Sequence, residues 1–413
     1  MLLAGLTFLV GLGAPAMTDS DEAFYAEAAR EMVESGDWLT PYYDYEPRFQ
    51  KPILYYWLTA ATFAATGPGE APARLWSALS GVALVFVTAG LARRWYDDDT
   101  ALLAGAIVAT SFGYVALGRM SLPDLPLALF VTATIGAALV AIGDRVPRPR
   151  GWLVAAAVSA SLGFLMKGPL AVVLPAIVVA PIVAIERRAS RLRVADLEVA
   201  AAVFAVIAAP WYLAMWATHG NAYLQSFFVG DNFERFATDR FNEPRPLWYY
   251  LPVVFGGVAP WSPFLLLGAG ATLRLFTLRG GPGSLETRLA IWVLAPLVLL
   301  TASVGKQPRY VLPLLPPLAL LLAHGITERT RSMRGLDGGL FRARPHRGLQ
   351  AAAIASGLLL VVTGALLYRA RPLFIELPAW QSATAAVVIV LAGVGGVATA
   401  LSRAWRSAPW VLA

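Results

Sequence analysis

The sequence predicts an all-α polytopic membrane protein with about twelve transmembrane helices, and three observations carry that expectation. The chain of 413 residues is 58% hydrophobic and 14% charged, and its mean hydropathy of +0.61 lies well above that of soluble globular domains. Apolar residues gather in runs of roughly 20, the length that crosses a hydrocarbon core as a helix, whereas a β-barrel would show weak alternating segments. Charged residues fall between those runs and are unequally shared between the two sides.

In chain order, apolar runs set against charged breaks place helices near residues 2–17, 72–92, 101–118, 123–142, 152–166, 169–185, 199–217, 248–270, 288–304, 310–326, 350–368 and 380–401. With the N-terminus inside, the interior segments hold 20 Lys and Arg against 10 Asp and Glu, and the exterior segments 13 against 16. That imbalance follows the positive-inside rule, so the isoelectric point near 9.7 records topology and gives no support to nucleic acid as a partner. The first apolar segment lacks the basic n-region of a secretory signal. It is expected to be an uncleaved first helix whose upstream basic residues lie outside this sequence. Without cysteine the chain has no disulfide, thiolate nucleophile or thiolate metal site. His219, His324 and His346 are too scattered for an obvious metal cluster, while a mixed carboxylate site stays open.

The organisation that follows is a membrane domain over residues 1–326 with exterior loops at 18–71 and 218–247. A basic interior loop follows at 327–349, and C-terminal transmembrane helices without a large soluble domain occupy 350–413. The interior loops are Arg-rich and otherwise bland. The residue types that carry chemistry gather on the exterior side, where a reaction on a lipid-linked substrate can take place.

The first exterior loop opens TDSDEAFYAEAAREM. Phe24, Tyr25, Ala28, Ala29 and Met32 recur at helical spacing opposite Glu27, Arg30, Glu31 and Glu34, the pattern of an amphipathic interfacial helix. Asp19 with Glu22 three residues on fits a capping box and puts Asp21 in the first turn, where the helix dipole favours an ionised carboxylate. Read alone, these acids cap and solvate a surface helix; Asp21 is also available as a proton or hydrogen-bond acceptor. At the other end of the loop, Lys51 precedes a proline suited to the first position of a helix. Around it stand Tyr42, Tyr43, Tyr45, Tyr55, Tyr56 and Trp57, ordinary interface anchors, and a lysine there can equally snorkel to lipid headgroups.

Three short exterior turns carry Arg119 and Asp124 in RMSLPD, Lys167 in FLMKGPL, and Lys306, Arg309 and Tyr310 in GKQPRYVLP. Cations at exterior helix ends run against the positive-inside bias unless something anionic uses them. Together they suggest a phosphate site, with lysine as point charge and arginine as planar fork. The second long loop offers Asn232, Arg235 and Arg240 as substrate contacts, with Phe236 and Phe241 as packing residues; a mere cover loop is the alternative.

The pieces DEAFYAEAAREM, GDWLTPYY, FQKPILYYW, RMSLPDLPLALF, LMKGPLAVVLP, DNFERF with PLWYYLPVVFGGVAPW, and KQPRYVLPLLPPLALLLA run in order from residue 21 to about residue 323. This order resembles the GT-C membrane glycosyltransferases, specifically the lipid A aminoarabinose transferase and dolichyl-phosphate-mannose-protein mannosyltransferase-like families. The resemblance implies inverting transfer of a sugar from a polyprenyl-phosphate donor to a lipid A-like, glycan or protein acceptor. The enzyme would be multi-pass in the cytoplasmic (inner) membrane, among membrane lipids, with its site facing the periplasm. It implies no cofactor, and a divalent metal stays compatible with it. By matching motif, Asp21 corresponds to the catalytic aspartate and Lys51 to the lysine facing the donor phosphate. Lys167, Arg235, Lys306, Arg309 and Tyr310 fall in motifs lining the same cavity, with Glu22, Tyr25, Arg119, Asp124 and Asn232 as further candidates.

The chain also departs from the pattern. Relatives usually carry Arg where this chain has Phe24, so a phosphate contact expected there must come from elsewhere. Gln50 and Ile53 stand where relatives often have an acid and a second proline, so no metal or acceptor role is carried over. Relatives commonly continue into a soluble C-terminal domain, and acceptor recognition by such a domain is expected to be absent or supplied elsewhere. A transporter or flippase of lipid-linked sugars is the alternative reading. It would want midplane charges and broken helices in paired repeats, whereas the charges here collect at one face. A non-catalytic scaffold is a third, made less attractive by intact Asp21 and Lys51.

Overall fold

The computed structural model describes residues 1–17, 19–143, 146, 149–188, 192–238, 244–266, 284–332, 347–371, 379–402 and 404–413. The described regular structure is helical apart from one short hairpin. Seven of these helices are long and apolar enough to cross a membrane: Glu70–Trp95, Asp124–Ala141, Val194–Ala237, Leu285–Ala302, Pro308–Arg331, Arg347–Ala370 and Trp380–Leu401. Asp98–Thr110 and Phe112–Gly118 meet at 56° and make an eighth if counted as one span. At that break Ser111 is extended, and its hydroxyl donates to the Ile107 carbonyl at 2.6 Å, a back-bonding contact of the kind that bends helices.

Counted by length and composition, the described spans therefore number seven or eight, so the expected total of about twelve is not reached by this count among the described residues. Helices do occupy the positions expected at 152–166 and 169–185, as Arg150–Lys167 and Leu170–Ile185. The first run, expected at 2–17, is helical only over Leu2–Leu9. Beyond it Gly11 takes a φ of +67°, and a Cβ at Gly13 would sit 2.8 Å from the Ala71 side chain, so the segment unwinds against the neighbouring helix. At 248–270 the helix Tyr250–Gly257 forms, and residues 267–270 lie outside the described set. The basic segment expected at 327–349 is helical at both ends; residues 333–346, with His346, lie outside the described residues. The last two long helices approach closely through glycine, as small residues allow in lipid. A Cβ at Gly357 would stand 2.6 Å from the Gly393 carbonyl oxygen.

The first long loop, expected on the exterior, is built as a docked layer. Asp19 caps Ser20–Ser35 by accepting from the Asp21 backbone N–H at 2.8 Å, and Gly36 closes the helix in the left-handed conformation at φ +72°. Its Tyr25, Ala28, Ala29 and Met32 are buried in the core shared with Leu54–Thr66. The expected capping box is only half made. Glu22 turns inward, accepting from Arg74 Nε at 2.6 Å and from the Ser121 backbone N–H at 2.8 Å. Arg74 also donates to the carbonyls of Leu12, Pro15 and Ala16, so this buried pair ties the chain after the first helix to the start of the loop. Glu22→Gln leaves that guanidinium buried without its counter-charge, and should cost about 3–5 kcal/mol. A thermal melt in detergent is expected to show a marked drop in Tm; an unchanged Tm would contradict the role assigned to this pair.

Three further expectations change here. Glu31 is not solvated: it is 2% exposed and accepts the backbone N–H groups of Asp44 and Tyr45 at 2.8 and 3.0 Å. Those two residues form the turn between strands Tyr42–Tyr43 and Glu46–Pro47, both at positive φ without being glycine. Glu31 thus offsets the strain of the turn by satisfying its donors. Tyr55 and Tyr56 are fully buried rather than interface anchors; the Tyr55 hydroxyl bonds to Ser77 and Ser121. The helix after Lys51 begins at Leu54, with Pro52 ahead of its N-cap Ile53.

Candidate active site

The site forms where the docked layer meets the ends of three helices on one side of the bundle. Lys167 is the last residue of Arg150–Lys167 and Gly168 closes it at φ +88°, where a Cβ would lie 2.5 Å from the Phe227 ring. A glycine is therefore required after this lysine both by backbone conformation and by the close approach of Phe227. Gly305 plays a matching part: a Cβ there would stand 2.2 Å from the Arg235 carbonyl oxygen. Its absence lets Val304 donate its backbone N–H to the Phe236 carbonyl at 2.9 Å. Arg235 and the Gln307–Tyr310 turn are thereby brought onto one wall. Asp231 and Asn232 ride on a π-helical stretch, Gln225–Glu234, of the kind found at functional sites.

The result is a small polar pocket lined by five cations, Arg48, Lys51, Lys167, Arg235 and Arg309, and three carboxylates, Asp21, Asp124 and Asp231. Their formal sum is +2. The charges alternate in two chains. In one, Arg309 pairs with Asp21 and stands 3.9 Å from Asp124, which pairs with Lys167. In the other, Asp231 Oδ1 accepts from Lys51 Nζ at 3.2 Å and from Arg235 Nη2 at 2.9 Å. Tyr310 lies under the Lys167 ammonium, 5.3 Å from ring centre to nitrogen. Tyr25 lines the same pocket, edge-on to Tyr55.

Exposure separates the acids. The Asp124 and Asp231 side chains are each 5% exposed and spent on internal pairs, whereas that of Asp21 is 39% exposed. Burial alone pushes the Asp21 pKa up, but the hydrogen bond from Arg309 and the charges of Arg309, Lys51 and Arg235 outweigh it, so the net shift is downward. Asp21 is thus the accessible acid of the three and is ionised at neutral pH. The Lys51 pKa is also lowered, but by burial itself, which is only partly opposed by Asp231 and pulls it down to about 8.

Beside the polar pocket lies a larger chamber of about 610 Å³. Asp21 and Arg309 border both spaces, and Asp19, Ser20 and Gln307 complete the polar end of the chamber. The rest of its wall is largely apolar, including Phe112, Leu117, Met120, Val253, Leu312 and Leu315.

The structure brings together Asp21, Tyr25, Lys51, Asp124, Lys167, Asn232, Arg235, Arg309 and Tyr310 from the sequence candidates. It does not bring in three others. Arg119 donates to the carbonyls of Thr7, Val10 and Gly11, closing the end of the first helix. Lys306, 5% exposed, donates to the carbonyls of Ser303 at 2.5 Å and Arg245 at 3.4 Å. Glu22 is consumed by Arg74. Asn232 lines the pocket while its amide donates to the Phe227 carbonyl at 2.8 Å, holding the π turn. Phe236, expected to pack, is 39% exposed; Arg240 and Phe241 lie outside the described residues. Sequence reading passed over Arg48, which stands one residue before FQKP and in no motif, and Asp231, which is the first residue of DNFERF but was not singled out. Among the described residues no group of three or more His, Asp or Glu side chains is arranged to hold a metal ion.

Residues 8–223 match the family model described as dolichyl-phosphate-mannose-protein mannosyltransferase. The undecaprenyl phosphate-alpha-4-amino-4-deoxy-L-arabinose arabinosyl transferase of Pseudomonas paraeruginosa is 31% identical over 410 residues, covering 98% of this chain and 70% of the relative. The protein of the same description from Pseudomonas aeruginosa strain PAO1 is 32% identical over 413 residues, with the same coverage. Among solved structures, ArnT from Cupriavidus metallidurans bound to undecaprenyl phosphate superposes with a TM-score of 0.80 at 24% identity, over all of this chain and 73% of that one. The oligosaccharyltransferase of Archaeoglobus fulgidus shares the fold more distantly, with a TM-score of 0.55 at 14% identity, over all of this chain and 58% of that one.

Proposed function

We propose that this chain, which belongs to the dolichyl-phosphate-mannose-protein mannosyltransferase family, moves a sugar from a polyprenyl-phosphate donor onto an amphipathic lipid acceptor at the exterior face of the cytoplasmic membrane. It is a multi-pass membrane glycosyltransferase that uses a polyprenyl-phosphate-linked sugar. The observation that carries the finer reading is the position of the Asp21–Arg309 pair, on the border between a cationic pocket and an apolar chamber. The first space suits a phosphate and the second the apolar part of a lipid. The sugar would then lie at the boundary, against Asp21.

The chemistry follows from charge. An acceptor oxygen attacks the anomeric carbon as the bond from that carbon to the phosphate oxygen breaks. The electron pair leaves with the phosphate, which passes from a singly charged diester to a polyprenyl monophosphate approaching two negative charges. A pocket with a formal charge of +2 complements the leaving group better than the donor, so its field stabilises the transition state more than the ground state. Lys51, Lys167, Arg235 and Arg309 are the groups proposed to supply that field. The departing phosphate needs no proton. Asp21 accepts the proton of an acceptor hydroxyl; where the acceptor atom is an ionised phosphate oxygen, no proton is transferred and Asp21 orients the nucleophile. A single displacement inverts the anomeric centre.

Lipid and glycoprotein mass spectrometry of cells with and without the gene tests the acceptor. Loss of a one-sugar mass increment from an envelope lipid is the expected result. Unchanged lipids with an altered glycoprotein would overturn the lipid-acceptor reading.

A further inference from the structure

Arg48 is the pocket cation that no motif marks, and its mounting is unusual. It follows the hairpin whose turn Glu31 holds, and its backbone N–H donates to the Pro41 carbonyl at 2.7 Å, closing the loop. Its guanidinium carbon stands 4.9 Å from the centre of the Phe24 ring and 5.6 Å from that of Tyr43, and the two rings meet edge to face. Nε donates to the Tyr56 hydroxyl at 3.1 Å. Its two terminal nitrogens have no acceptor among the described residues, although the side chain lines the pocket with Asp21, Lys51, Lys167 and Arg235. Every other cation of this pocket is already paired with a carboxylate.

We propose that Arg48 is a phosphate-binding residue of this site, presenting its terminal Nη1/Nη2 fork to two oxygens of the polyprenyl-phosphate group. The inference rests on the polyprenyl-phosphate reading of the pocket. Three features support it. The Phe24 and Tyr43 rings beside the guanidinium restrict it, so less rotamer freedom remains to be lost on binding. The single anchoring bond uses Nε, the nitrogen a bidentate end-on contact leaves over. The hairpin is rigid at both ends through the Glu31 and Pro41 contacts. Phe24 is the platform for an arginine that arrives from the hairpin.

The test is equilibrium binding of undecaprenyl phosphate, and of neutral undecaprenol, to the full chain in detergent. Arg48→Gln is expected to weaken undecaprenyl phosphate binding roughly 10- to 100-fold, the range of a lost charge-assisted contact, while leaving undecaprenol binding unchanged. Arg48→Lys, which keeps the charge and loses the fork, should fall between the two, and it decides the matter if Arg48→Gln does not fold. Unchanged phosphate affinity in the folded variants overturns the proposal, as does an equal loss for undecaprenol, which would mark a structural effect. Lys51→Ala run alongside separates the two levels. If it loses affinity and Arg48→Gln does not, only the Arg48 assignment fails; if neither loses affinity, the reading of the pocket fails with it.

Discussion

Asp21→Asn is expected to lower sugar transfer by roughly 10²- to 10⁴-fold, the usual contribution of a positioned acid–base group, without weakening donor binding. The two halves of that expectation come from different observations. Asp21 is the accessible carboxylate at the junction of the two spaces, so it is the acid an acceptor can reach. Asp124 and Asp231 are 5% exposed and already hold Lys167, Lys51 and Arg235 in place, so neither can take over. Donor affinity should hold or improve, because the substitution removes a negative charge beside the phosphate site and releases Arg309. The loss should therefore appear in kcat and not in KM. Its neighbour Glu22, not Asp21, carries the structural pairing with Arg74, so the variant should melt near the wild-type temperature. Near-wild-type kcat in a folded Asp21→Asn protein would remove Asp21 from the mechanism.

Lys51→Ala should act on the donor itself. Losing one charge-assisted contact to phosphate predicts binding weaker by about 10- to 100-fold. Turnover should fall further still, because an ammonium that meets the departing phosphate helps the transition state more than the ground state. The pH dependence gives this residue a signature. With its pKa drawn down to about 8 by burial, against the partial opposition of Asp231, Lys51 is mostly ammonium at pH 7 and loses that proton as pH rises through 8. Phosphate monoesters have a second pKa near 6, so from pH 7 upward the ligand is mainly dianionic and its charge changes little in this window. Wild-type affinity for undecaprenyl phosphate should fall between pH 7 and 9, and Lys51→Ala should lose that step. A wild-type profile flat across the window, or a step that survives in the variant, would contradict the assignment.

Much of this site was legible in the sequence because membrane topology imposes a bias that function has to break. Lys167 and Arg309 fall at helix ends that the sequence reading assigned to the exterior, where the positive-inside rule disfavours cations, and the structure gathers both around Asp21 and Asp124. The same reasoning misplaced Arg119 and Lys306. Helix ends also expose carbonyls that lack an intrahelical partner, and the cations were taken up by those of Thr7, Val10 and Gly11, and of Ser303. A sequence shows the charge but not the orphan acceptor beside it. The helical face drawn for residues 21–34 placed Glu27, Glu31 and Glu34 in water. Glu27 and Glu34 do pair with Arg30 at the surface, whereas Glu31 turns to a hairpin that local spacing does not reveal. Arg48 was missed for the same reason: it enters the pocket because that hairpin folds back over Phe24. Apolar runs located the helices. Lengths failed where Gly11 and Gly13 unwound the first of them and where Ser111 bent another.

The most direct test is transfer by the purified full chain in detergent, where there is no second compartment to export into. Supplied with a labelled undecaprenyl-phosphate sugar and an extract of envelope lipids, it should move label onto a lipid acceptor and release undecaprenyl phosphate in equal amount, and Asp21→Asn should do neither at a comparable rate. Donor that is bound but never consumed, alongside protein that moves the intact lipid-linked sugar across vesicles, would contradict the enzyme reading and return this chain to the transporters.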